Sequence, residues 1–383
     1  MTASALSTFA VITGGGTSGH VVPAIAIAEL LIDQGYSPSQ IHYVGSTRGV
    51  ESAMIPDLGI GYSLLTVDGL QRGLSLRKIR RNITMVSTLL KANRQAKGLL
   101  MSLRPQVVVS VGGYASIPAC RAARALQIPV VTCSYDRRPG LATKVQSRYA
   151  FASAVAYEGG SLPRAIVTGA PVRRALRVAQ LAELRDAARA QLGIGSGDRV
   201  VLVMGGSLGS AVLNAATEHL VKNLHGSQHT CVVHIAGERY MHQIALPVRV
   251  THDNGNLAYL RLAYSADMVS MYAAADVVVC RAGASTIAEI ATVGVCSVLI
   301  PWKDAAENHQ LVNARWLTDH DAALLMEEST MTHHDVVAVI ERLLTDDDRR
   351  MVIAQNAKTL GSTHRDSKIV DVINDAAKSR QLQ

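Results

Sequence analysis

The chain has 383 residues, 48% of them hydrophobic and 18% charged, which suits two domains of ordinary size and excludes a disordered polymer. A formal charge of +8 calls for an anionic partner: nucleic acid, an anionic membrane face or a phosphorylated substrate. Five scattered cysteines with no C-x-x-C pair argue against a disulfide framework and a zinc site, and read as buried thiols.

From the N-terminus, residues 1–9 lack a basic region ahead of an apolar one, so no secretory signal is expected and the cytoplasm is the default. Strands are expected at 9–13, 41–44, 107–111, 130–133 and 166–168, with helices at 23–33 and 76–103. Strands alternating with helices predict parallel βαβ units and a doubly wound sheet. A charged helical segment, 173–197, ends in a glycine-rich run and reads as a connection. The pattern then restarts, with strands at 200–204, 231–235, 277–280 and 297–300 and helices at 210–223 and 286–293. Residues 333–383 read as a polar helical tail. The longest uncharged apolar run, 200–217, is broken by Gly205, Gly206 and Gly209, so no membrane-spanning helix of roughly 18 residues is expected.

Three strand-to-helix junctions carry chemistry. The first is Thr13-Gly14-Gly15-Gly16-Thr17-Ser18-Gly19-His20, ahead of a helix expected to begin near Pro23. Glycines let a ligand approach the backbone, and a helix start favours an anion. Gly14, Gly16 and Gly19 satisfy the dinucleotide pattern, and Arg48 would meet a 2′-phosphate, so an NADP-linked oxidoreductase stays open. The nucleotide-hydrolase pattern fails, because His20 and Val21 stand where lysine and a hydroxyl are required. The second junction is Gly205-Gly206-Ser207-Leu208-Gly209. At the third, Arg281 to Glu289, a small polar residue is expected to cap a helix whose start suits a diphosphate, with Glu289 placed to accept from two adjacent hydroxyls. The competing reading makes Ser285 or Thr286 the cap and Glu289 its capping-box partner.

Between Asp68 and Asp136 there is no acidic residue, and the eleven cations from Arg72 to Arg124 exceed the net charge of +8. The densest cluster, Arg72, Arg77, Lys78, Arg80 and Arg81, is interleaved with Leu74, Leu76 and Ile79, a composition suited to an anionic leaflet. A solvated helix face is the plainer account. Nucleic acid is not expected as partner, since no aromatic residue interleaves with the cluster for base stacking.

Taken together, Gly15-Gly16-Thr17-Ser18-Gly19-His20, Val111-Gly112-Gly113-Tyr114, Arg138-Pro139-Gly140-Leu141, Gly169-Ala170-Pro171-Val172-Arg173, the second glycine turn, Arg281-Ala282-Gly283-Ala284-Ser285-Thr286 and His309-Gln310-Leu311-Val312-Asn313-Ala314 resemble the MurG family. The resemblance implies an α/β chain of the GT-B fold, two Rossmann-like domains with parallel sheets facing a cleft. The expected division is 1–172 for acceptor and membrane and 173–364 for the UDP-sugar, with a helix at 365–383 packing back on the first. It implies an inverting glycosyltransferase that moves N-acetylglucosamine from UDP-N-acetylglucosamine to a lipid-linked muramoyl pentapeptide in peptidoglycan synthesis. The enzyme would be peripheral on the cytoplasmic face of the membrane and need no cofactor or metal.

The resemblance also implies site residues. Thr17, Ser18 and Gly19 would face the donor's sugar and diphosphate, Arg173 and Ala284, Ser285 and Thr286 the diphosphate, and Glu289 the ribose. Ser207 would belong to the second turn, Ser265 to the uracil contact, and His309 and Gln310 to the donor sugar. His20 is the expected base, since an imidazole titrating near 6.5 can take a hydroxyl proton at neutral pH. The chain departs from the family at Cys133-Ser134-Tyr135-Asp136, where His-Glu-x-Asn is usual, so Asp136 enters both as a substrate contact and as a second candidate base. A glycosyltransferase-like protein that binds lipid or donor without turnover is the remaining alternative.

Overall fold

The computed structural model describes residues 8–67, 76–206, 208–224, 229–366 and 368–381, with side chains at all of these except 76–87 and 224. Ser207 and Arg72 lie outside the described residues, as do the side chains of Arg77, Lys78, Arg80 and Arg81. The chain divides into two compact units, Met1–Arg174 with Thr363–Gln383, and Ala175–Ser362.

Among the described residues the first unit has seven parallel strands: β1 Ala10–Thr13, β2 Ile41–Ser46, β3 Gly61–Leu65, β4 Val107–Ser110, β5 Val130–Ser134, β6 Ala152–Val155 and β7 Ala165–Val167. Their order is β3-β2-β1-β4-β5-β6-β7, with Ala10 registered between Ile41 and Val107. The central strands are β-branched and buried on both faces, as a sheet covered by helices on both sides requires. The chain leaves β1 in one direction and returns to its other side as β4, so the crevice at the carboxyl ends of these two strands is the switch point where such sheets bind ligands. Two strands were not foreseen. β3 is an edge strand with Tyr62 46% exposed, and β6 is Ala-Ser-Ala-Val, weak in β-propensity and held by its neighbours β5 and β7. The helix Lys368–Gln381 belongs to this unit, burying Ile369, Val370 and Ile373 and accepting the Tyr36 hydroxyl on Asn374 Oδ1 at 2.7 Å.

The second unit repeats the plan with, among its described residues, seven strands: β8 Arg199–Met204, β9 Thr230–Ile235, β10 Arg249–Thr251, β11 Leu257–Leu262, β12 Val277–Cys280, β13 Ser297–Leu299 and β14 Leu324–Leu325, ordered β10-β11-β9-β8-β12-β13-β14. Its switch point lies between β8 and β12. The expectation of a wholly parallel sheet fails at one edge, where β10 and β11 are antiparallel. Asp253-Asn254-Gly255 supplies the turn that joins them, closed by the His252 N–H on Asn256 O at 2.8 Å and the Gly255 N–H on His252 O at 2.9 Å. Behind the sheet, His234 is fully buried, with Nε2 3.0 Å from Asn214 Oδ1 and Nδ1 3.0 Å from the Tyr259 hydroxyl. Burial, and secondarily Arg261, pushes its pKa down to about 3, so it is a neutral core imidazole. The α/β reading with a restarted strand–helix pattern agrees with both units. All five cysteines are buried free thiols, and among the described residues no helix is long and apolar enough to cross a membrane.

Candidate active site

In the first unit the glycine turns after β1 and β4 fit into each other. Gly16 has φ +93°, and a Cβ there would sit 2.6 Å from the Tyr114 ring, while a Cβ on Gly113, at φ +76°, would sit 2.8 Å from the Gly15 carbonyl oxygen. Any side chain at either position forces the turns apart. Two buried groups pin the first turn from below. The Tyr43 hydroxyl donates to Gly14 O at 2.6 Å, and Glu51 Oε1 accepts from the N–H of Gly16 at 2.7 Å and of Ser46 at 3.3 Å.

Glu51 is 0% exposed and was not among the expected site residues. Its one sequence signal was being the first carboxylate after β2. Glu51→Ala orphans the Gly16 amide and is expected to destabilise the first unit by about 1–3 kcal/mol, read as a lowered urea midpoint at unchanged slope; an unshifted midpoint removes this role.

The helix expected to begin near Pro23 instead spans Ser18–Asp33 and contains that proline. Thr17 is its N-cap in extended conformation, and Thr17 O accepts the N–H groups of His20 and Val21 at 3.0 and 3.1 Å. The helix therefore starts within the glycine-rich motif, and His20 is its third residue. His20 Nδ1 lies 3.1 Å from Thr17 Oγ1, and the ring packs against Gly112 and Gly113. Burial lowers its pKa below the ordinary 6.5, with Asp136 and then Glu51 pulling the other way. Thr17 and Gly19 are exposed and Ser18 half-buried.

Asp136 follows β5, half-buried, beside a small pocket lined by Ser134, Arg137, Tyr157, Glu158 and Leu162. Its charge acts on the His20 imidazole, so the two candidate bases share one site. Arg173 is held differently. Its Nε donates to Glu29 Oε1 at 2.8 Å, and the other oxygen of Glu29 accepts the Arg174 N–H at 2.6 Å, which ties this segment to the Ser18–Asp33 helix.

In the second unit the loops after β8, β12 and β13 converge on one sheet edge. Gly209 has φ +70°, and a Cβ there would lie 2.1 Å from Ala236 O, so this turn also requires glycine. Arg281 joins the loops: it donates to Ile300 O at 3.0 Å and to Ser210 Oγ at 2.8 Å, and pairs with the buried Glu328 carboxylate. The following helix is Ala284–Val293, and its N-cap is Gly283, with no side-chain cap. This corrects the expectation of a polar cap and removes the capping-box alternative, because Glu289 is the sixth helical residue and Ser285 and Thr286 already lie inside the helix.

The amides of Ala284, Ser285 and Thr286 thus form a helix start uncapped by any side chain, an arrangement that favours an anion. One turn on, Glu289 Oε2 accepts the hydroxyl of buried Tyr272 at 2.9 Å. Gln310 Oε1 accepts the Trp302 N–H at 3.0 Å, and His309 Nδ1 lies 2.8 Å from Ala306 O, just past the left-handed pair Glu307 and Asn308. Ser265 follows β11, farther along the same edge, with its hydroxyl on Asp267 O at 3.3 Å. Sequence reasoning missed Tyr135, Tyr272 and Glu328, whose partners are distant in the chain.

Comparison with known proteins agrees along nearly the whole chain. Models of the glycosyltransferase family 28 N-terminal and C-terminal domains match residues 10–155 and 200–372. A protein of Desulforudis audaxviator named UDP-N-acetylglucosamine--N-acetylmuramyl-(pentapeptide) pyrophosphoryl-undecaprenol N-acetylglucosamine transferase is 34% identical over 379 residues, covering 96% of this chain and 98% of its own. One of the same name from Symbiobacterium thermophilum is 34% identical over 383 residues, covering 97% and 98%. The crystal structure of Acinetobacter baumannii MurG superposes with a TM-score of 0.69 at 25% identity, covering 96% of this chain and 99% of that one. Two domain matches in order, two glycine-turn sheets and full-length relatives lead to one conclusion: the chain belongs to glycosyltransferase family 28, within the MurG family of N-acetylglucosamine transferases.

Proposed function

We propose that this chain transfers N-acetylglucosamine from UDP-N-acetylglucosamine to a polyprenyl-diphosphate-linked muramoyl pentapeptide, inverting the anomeric carbon, in peptidoglycan synthesis. The acceptor oxygen attacks the anomeric carbon, the bond to the diphosphate breaks with its electron pair leaving on UDP, and the hydroxyl proton passes to His20. The observation that carries this reading is the uncapped helix start at Ala284 beside a Glu289 carboxylate oriented by Tyr272. That pair suits a diphosphate and a ribose diol one helical turn apart.

In this reading Ala284, Ser285 and Thr286 meet the diphosphate, Glu289 the ribose, Ser265 the uracil, and His309 and Gln310 the sugar. Ser207 serves the second turn, while Thr17, Ser18 and Gly19 meet the sugar and diphosphate. Arg173 exchanges Glu29 for the departing diphosphate, which helix amides and a guanidinium can stabilise without a metal. Asp136 contacts substrate and holds the imidazole ready. The acid-free stretch from Arg72 to Arg81 docks the protein on the anionic cytoplasmic face of the membrane. Family membership sets the NADP-linked reading aside.

The test is transfer of radiolabelled sugar from UDP-N-acetylglucosamine to purified lipid acceptor in the presence of a chelator. Product is expected; donor binding without product would instead favour the non-catalytic reading. For the membrane assignment, co-sedimentation with phosphatidylglycerol vesicles is expected to weaken when Arg77, Lys78, Arg80 and Arg81 are changed to glutamine, and unchanged binding refutes it.

A further inference from the structure

The carbonyl of Gly19 lacks the donor that a helix ordinarily provides. In the Ser18–Asp33 helix it would accept the N–H of residue 23, but that residue is Pro23, which has no N–H and whose ring crowds the same carbonyl. The Tyr135 hydroxyl takes the place, donating to Gly19 O at 2.5 Å, with Val111 O a distant second neighbour at 3.4 Å. Tyr135 is only 7% exposed. Burial first, with the nearby Asp136 carboxylate adding to it, holds its phenol well above the ordinary value, so it remains a donor across the working pH range. Each end of this hydrogen bond adjoins a candidate base in sequence: His20 follows Gly19, and Asp136 follows Tyr135.

The geometry points to Tyr135 as a positioning residue: it fills the acceptor that Pro23 leaves open and so fixes the helical turn bearing His20 against the strand end bearing Asp136. A released first turn lets the imidazole drift from the acceptor hydroxyl, and a displacement of about 1 Å is enough to slow chemistry by about 100-fold. The inference rests on His20 acting as the base.

The experiment compares the parent with Tyr135→Phe, Pro23→Ala and the double variant. Tyr135→Phe retains the ring and removes the donor; Pro23→Ala returns an N–H to residue 23. Tyr135→Phe is expected to lower kcat by about 10- to 100-fold with the KM for UDP-N-acetylglucosamine within about twofold. It should also move the His20 titration, followed by NMR and assigned through His20→Gln, toward the ordinary value as water reaches the ring. The double variant should recover most of the lost kcat and the parental titration midpoint. A Tyr135→Phe protein with parental kcat and titration overturns the inference, as does a folded double variant no better than Tyr135→Phe. If Tyr135→Phe does not fold, the double variant decides: folding with the parental midpoint supports the role, and failure to fold refutes it. A parent that makes no product refutes the assigned reaction instead, and the titration still judges the hydrogen bond by itself.

Discussion

His20→Ala is expected to lower kcat by about 10²- to 10⁴-fold, with the KM for UDP-N-acetylglucosamine little changed, in the sugar-transfer assay. The imidazole is lowered below 6.5 by burial, so it is neutral at pH 7 and able to accept a proton. The pH dependence follows in sign. Activity in the parent holds above about 6.5 and falls as the pH drops through the lowered folded value. Protonation in acid also costs stability, because the unfolded chain binds that proton more readily than the folded one; this contribution is present above the unfolded value and is lost as the pH falls. The alanine variant should lose the acid limb along with the rate. Were Asp136→Asn to produce the large fall while His20→Ala left kcat within a few-fold of the parent, the base would be the carboxylate.

Arg281→Ala is expected to destabilise the second unit by about 3–5 kcal/mol, since it strands a buried carboxylate. The side chains of Arg281 and Glu328 are 11% and 7% exposed, and the same guanidinium satisfies Ser210 Oγ and Ile300 O. One cation therefore holds the loops after β8, β12 and β13 together at the switch point. Denaturant unfolding gives the stability, and calorimetric titration with UDP should show weakened binding. Arg281→Lys is expected to restore little, because a single ammonium cannot reach three acceptors in the planar arrangement of a guanidinium. An alanine variant that unfolds at the parental midpoint would exclude this bridging role.

The strands legible in the sequence were those with β-branched runs, such as 107–111 and 200–204, because central parallel strands must be apolar on both faces. Those that escaped were β3, β6, β10, β11 and β14; of these, β6 and the short β10 and β14 are strands by virtue of their neighbours rather than their own residues. Helix starts were misread at Pro23 and at Ser285 for a shared reason. In both cases the chain turns into a helix directly from a glycine-rich loop, so the conventional signals of proline near N1 or a polar cap pointed too far along the sequence. At the candidate site, His20 was singled out in the sequence by residue type and its place beside the glycine turn, and Asp136 by the resemblance, both as residues whose roles are proposed. Glu51, Tyr135, Tyr272 and Glu328 were not, because a buried side chain's role depends on which distant backbone or carboxylate the fold brings to it.

The sequestered sulfurs give the molecule a clock of its own opening. Burial pushes Cys120, Cys133, Cys231 and Cys296 up to about 12, so almost no thiolate exists in the closed state and alkylating reagents find nothing to attack. Reaction then waits on transient unfolding. With Cys120 and Cys133 in one unit and Cys231, Cys280 and Cys296 in the other, the pattern of labelled peptides would register which half loosens first under heat or on loss of donor.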